Sequence, residues 1–109
     1  YTMHGFSQYK TIQIPIGGRK YTLYVADDHE KRVKGLSNVR YLSSNEGMLF
    51  KHNGMGSRSY TMEETYVPLR LIFIDNDFNI VREMNAKPHQ KEEVNPGVDF
   101  MYVIEILRR

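Results

Sequence analysis

The chain of 109 residues has no cysteine, no tryptophan and only four prolines. Without cysteine there is no disulfide scaffold, zinc knuckle, redox pair or thiolate nucleophile. The compartment stays open, because small cysteine-free domains occur on both sides of a membrane. No apolar run approaches the eighteen or so residues of a spanning helix, and the N-terminus lacks the charged-then-apolar pattern of a signal peptide. An excess of one charge sign is missing as well. Fifteen Lys and Arg stand against 13 Asp and Glu, a net charge of +2 spread along the chain, so no strong field gathers phosphate backbones and no nucleic-acid partner is expected. The first residue is Tyr1 rather than Met, and the expectation is that a segment upstream was removed, as a signal peptide or by an engineered trim. The expected location is cytoplasmic, or exported if a signal peptide preceded Tyr1.

What remains is one domain's worth of chain, long enough to fold without a metal or disulfides. Repeats, low-complexity tracts and interdomain linkers are absent, and residues 1–8 read as a flexible tail. Residues 9–26 read as a hairpin. Ile12, Ile14 and Ile16 alternate with other residues, Gly17-Gly18 offers a two-residue turn with positive φ, and Tyr21, Leu23 and Val25 alternate after it. That loop sets Ile14 opposite Tyr21 and Ile12 opposite Leu23, and Pro15 assigns the first strand to an edge. Asp27 and Glu30 have capping-box spacing and Gly35 is a stop, which predicts a short helix of about two turns. A brief strand at 47–50 and an exposed loop at 52–59 follow. Residues 60–65 read as a strand, 69–74 as a strand covered on both faces, and 78–81 as its return. Residues 85–96, rich in charge and bounded by Pro88 and Pro96, read as a long surface loop. Residues 100–107 are apolar on both faces, as in a central strand. Six or seven short strands and one helix after the first hairpin imply a mainly β fold, an antiparallel jelly-roll-like sandwich or partly closed barrel.

Several segments carry a resemblance in order and spacing. They are Arg32-Val33-Lys34-Gly35-Leu36, Glu46-Gly47-Met48-Leu49-Phe50, Met62-Glu63-Glu64-Thr65-Tyr66-Val67-Pro68-Leu69, Ile72-Phe73-Ile74-Asp75 and Tyr102-Val103-Ile104-Glu105. Over about residues 20–107 the chain resembles the family called domain of unknown function 192. The resemblance implies a jelly-roll-like sandwich with a small helical insertion, in bacterial and archaeal proteins that are sometimes secreted. It implies no known reaction and supplies no catalytic residues. The departures from the family pattern are specific. Thr61 stands where Trp is usual, Ser37 where Met is usual, and Phe78 where a turn Gly is usual. The first two remove apolar bulk from one region and alter any pocket they line, and the third leaves two registers open for the turn at 75–79. Glu63 and Arg70 stand where the pattern has Lys and Asp, a double sign reversal that suits an ion pair.

Glu63 and Glu64 are adjacent, so on a strand they point to opposite faces and cannot act as paired acid and base. With Met62 facing inward, Glu64 shares its face and becomes a partly buried carboxylate, with Arg32 as its candidate cation. The functional reading is a small polar ligand site of Arg32, Met62, Glu64 and Thr65 beside the 52–59 loop. The structural reading is an ion pair between helix and sheet. Glu63, Arg70 and Glu83 are candidates for structural ion pairs, with Arg70 opposite or diagonal to Glu83. Glu105, on an apolar strand, is a carboxylate that needs a partner. His4, His29, His52 and His89 show no metal-ligand spacing, and Gly56-Ser57-Arg58-Ser59 lacks the second Gly of a nucleophile elbow. No metal, cofactor or catalytic residue is therefore assigned. The expectation is a non-catalytic module, monomeric or weakly oligomeric, binding a small molecule or a protein. The alternatives are a small hydrolase or metal-assisted enzyme using Glu64 or Glu105, and a structural subunit of a larger assembly.

Overall fold

A computed structural model describes residues 6–108. Its strands are β1 (Thr11–Ile16), β2 (Arg19–Ala26), β3 (Glu46–Gly56), β4 (Leu69–Ile74), β5 (Ile80–Ala86) and β6 (Phe100–Leu107), and α1 (His29–Lys34) follows the first hairpin. The protein is mainly β with one short helix. All six strands belong to one sheet, in the order β1-β2-β3-β6-β4-β5, that does not close into a barrel. The sheet is mixed. The β2–β3 pair is parallel and the others are antiparallel, because α1 and the loop after it carry the chain back across before β3 begins.

The first hairpin forms around Gly17 and Gly18, with φ of 59° and 81°. Ile14 pairs with Tyr21 and Ile12 with Leu23, and β1 with its Pro15 lies at the sheet edge. The helix is capped one residue later than the sequence suggests. Asp28 is the N-cap, its carboxylate accepting from Lys31 N at 2.8 Å. This bond satisfies an orphan N–H of the first turn. The second hairpin takes the wider turn. Asp75 accepts from the N–H groups of Asp77 and Asn79, both at 2.9 Å, and Phe78 sits at φ 65°. The Phe78 ring stacks on Tyr102 with centroids 5.3 Å apart, which offsets part of the left-handed strain.

Three segments differ from the sequence expectation. Residues 60–65 are not a strand: only Tyr60 bridges to Val94, and 62–65 turn back on themselves, Thr65 N donating to Met62 O at 3.1 Å. Most of the expected 52–59 loop belongs to β3, which runs to Gly56 with an irregularity between Lys51 and Gly56. Arg58 stitches that irregularity shut by donating to the carbonyls of Gly54 (2.8 Å) and Phe100 (2.7 Å). Asn85 and Ala86 end β5, and Val94 and Pro96 of the following loop are buried. Of the expected tail, residues 1–5, with His4, lie outside the described residues. Phe6 is buried against Tyr9 and Tyr24.

Strand alternation divides the core in two. One face carries the larger cluster, including Met48, Phe50, Met62, Leu71, Phe73 and Val103. The other carries Tyr21, Leu23, Ile72, Ile104 and Ile106. No helix among the described residues is long and apolar enough to cross a membrane.

Candidate functional site

A cavity of about 200 Å³ opens between α1, the segment 59–65 and the sheet. The sheet contributes Phe50 and Glu105, α1 and the turn after it contribute residues 32–37, and the loop contributes Ser59, Tyr60, Thr61 and Thr65. Local structure explains why these parts meet. Gly35, at φ 48°, ends the helix directly over the Phe50 ring, where an added Cβ would lie 3.2 Å from Phe50 Cζ. Asn38 N then donates to Glu64 O at 2.7 Å, tying the two walls together. The far wall is held by the buried side chain of Met62 and by His89, whose N–H donates to Thr65 O (3.0 Å) and whose Nδ1 contacts Glu63 O at 2.8 Å.

Glu105 is the chemically distinctive group in the cavity. It lies on the central strand, 5% exposed, with Met48 and Leu71 as its apolar cross-strand neighbours. Among the described residues nothing donates a hydrogen bond to its carboxyl or forms an ion pair with it. Burial raises its pKa to about 8, because the charged form loses water and gains no cation. Tyr60 beside it is mostly buried, packs on Phe50, Phe73 and Phe100, and shares a hydrogen bond with His52 Nε2 at 2.5 Å. Burial, and then the Glu105 charge, pushes the Tyr60 phenol up. Burial lowers His52 to about 4, with Arg58 and Arg32 adding to the effect. At neutral pH the imidazole and phenol are thus both uncharged. Arg32 supplies positive charge from α1 and donates to Lys51 O at 3.0 Å.

The structure brings two of the four candidate ligand residues, Arg32 and Thr65, into this cavity. Met62 is buried in the main core instead, and Glu64 is exposed. The expected Arg32–Glu64 contact is not made, because Glu64 sits in a turn and not on the inward face of a strand. The Arg70–Glu83 ion pair does form, with Arg70 Nε donating to Glu83 at 2.8 Å across a diagonal of the β4–β5 ladder. Glu63 does not join it. Glu63 is exposed on the loop and forms no ion pair among the described residues. Tyr60 and His52 were missed as a pair, since the sequence gives no sign that two residues eight apart will touch across a strand end. Ser37 and Thr61 both line the cavity.

The fold and cavity define a class, a small mainly β domain with a polar pocket between its one helix and its sheet. The chain belongs to the family DUF192, described as an uncharacterized ACR, whose model matches residues 12–108. It is similar to the crystal structure of a "putative transcription regulator" from Sinorhizobium meliloti 1021, with 30% identity and a TM-score of 0.80, covering 91% of this chain and 81% of that one. A protein of unknown function from Novosphingobium aromaticivorans DSM 12444 shares the fold, at 21% identity and TM-score 0.74, covering 98% of this chain and 87% of that one. No curated protein matches the chain.

Proposed function

We propose that this protein is a non-catalytic binding module that holds a small polar molecule in the cavity over Glu105. The observation that carries this reading is a buried carboxyl, unpartnered among the described residues, facing a cavity of about 200 Å³. A cavity of about 150 Å³ takes a benzene-sized ligand, so a molecule of fewer than about a dozen heavy atoms suits this one. Ser37 and Thr61 support the reading further, because they keep open a space that Met and Trp would fill. The enzyme alternative pairs Glu64 or Glu105 with a histidine in one cleft. Glu64 is on the surface, and His52 is turned to the Tyr60 hydroxyl. The description of the Sinorhizobium relative as a regulator suits a module that reports a bound small molecule to a partner. The balanced charge favours a protein partner over nucleic acid.

The test is protein-observed NMR with a set of small polar fragments, alongside the cavity-filling variant Ser37→Met/Thr61→Trp. Shifts should cluster at residues 32–37, 59–65 and 105. The double variant should lose them while its melting temperature stays level or rises. Shifts that scatter over the surface, or turnover of any fragment, would overturn the proposal.

A further inference from the structure

We infer that the cavity's ligand is a small zwitterion, a free amino acid or an ω-amino acid, whose ammonium group meets Glu105 and whose carboxylate stays on the Arg32 side. This rests on the binding-module reading and specifies its ligand. The two poles sit on different elements, Glu105 on β6 and Arg32 on α1, and Ser37 and Thr65 line the same cavity. The groups around Glu105 are few. Its β3 and β4 neighbours, Met48 and Leu71, are apolar, segment 59–65 offers the Tyr60 phenol, and α1 offers only the cations Arg32 and Lys34.

Arg32 spends one N–H on Lys51 O and keeps its other donors for an anion. Lys34 Nζ lies over the Phe6 ring, 5.1 Å from its centroid. A simple acid would answer Arg32 but bring no cation to Glu105. A simple amine would answer Glu105 but meet Arg32 with like charge. Only a molecule carrying both charges complements Arg32 together with the ionised form of Glu105, which in this buried place needs a cation beside it.

Proton balance separates the cases. With its pKa raised to about 8, Glu105 holds a proton at pH 7 in the free protein. An arriving ammonium ionises it, and the proton leaves to the buffer while the ligand nitrogen keeps its own. An acid bound to neutral Glu105 would hold that proton in place and take up more as pH rises toward 8.

The experiment is titration calorimetry at pH 7 in two buffers of different ionisation enthalpy. The probes are glycine, L-serine, β-alanine and 4-aminobutanoate, with acetate, butanoate and butylamine as single-charge controls. At least one zwitterion should bind tenfold or more tighter than the controls, release close to one proton, and bind more tightly from pH 6 to 8. Glu105→Gln should weaken it tenfold or more and abolish proton release, and Arg32→Met should weaken it with release retained. Equal binding of an acid, or proton uptake, would overturn the inference. If no zwitterion binds while the fragment set still shifts cavity amides, this inference fails and the binding-module reading survives. If the cavity amides stay silent as well, both fail.

Discussion

Two buried groups pull stability in opposite directions as pH changes. Glu105 has a folded pKa of about 8, above its unfolded value. The stability it permits is full below about pH 4.5 and is lost as pH rises toward and through 8. His52 has a folded pKa of about 4, below its unfolded value, so its contribution is present above about pH 6.5 and is lost as pH falls through 4. Urea unfolding of Glu105→Gln should therefore gain on the unmodified protein by more than about 1 kcal/mol between pH 4.5 and 8.5. His52→Gln should gain on it in the other direction, between pH 6.5 and 4. A pH-independent difference in either comparison would contradict the assigned burial. Arg70 and Glu83 pair across the ladder with both side chains well exposed to water. A double-mutant cycle to Ala should give a coupling of at most about 1 kcal/mol that shrinks in salt. Glu105 was visible in the sequence as a carboxylate on an apolar strand, yet nothing there revealed that its neighbourhood would be a cavity.

Elements differ in how openly their sequences declare them. The β1–β2 hairpin is fully legible, because Gly17-Gly18 fixes the turn and period-two alternation fixes the face. Gly17→Asn should hold the fold with a melting temperature unchanged or slightly raised, since Asn tolerates the left-handed region and restricts the unfolded chain. Gly47 on β3 is the opposite case. A Cβ there would collide with the Glu105 carbonyl oxygen and lie 2.7 Å from Ile106 Cγ2. Gly47→Ala should cost about 1–3 kcal/mol in denaturant unfolding, because the first clash is with backbone in a packed sheet. A cost under about 0.5 kcal/mol would show that the β3–β6 pair yields more easily than its packing implies. Segment 60–65 misled because Tyr60 and Met62 alternate as strand residues do. The buried Met62 and the Thr65–Met62 turn then bend it away from any ladder.

At the scale of the molecule, the last strand in sequence is among the most central in space. β6 pairs with β3 on one side and β4 on the other, and so joins the β1-β2-β3 half of the sheet to β4-β5. Joining the two halves of the sheet therefore awaits β6, and its key pairings are long-range. Deleting residues 100–107 should abolish cooperative thermal unfolding. In the intact protein the amides of Val103 to Ile106 should be among the slowest to exchange, near the global unfolding free energy. A truncated chain with a sharp melting transition would refute that role.

By itself the sequence determined the class of the fold, the first hairpin with its register, the helix and its Gly35 stop, the central final strand and the family. Each of these is written in local pattern, in turn residues and alternation that act over a few positions. Only the tertiary structure decided that the strands make one open mixed sheet, that 60–65 turns rather than pairs, and that Glu64 faces solvent. It also set Arg32, Ser37, Thr61 and Glu105 around one space. These outcomes depend on which distant segments share buried area and hydrogen-bond partners. A carboxylate's burial, and hence its charge at a given pH, is fixed by neighbours the linear order does not name.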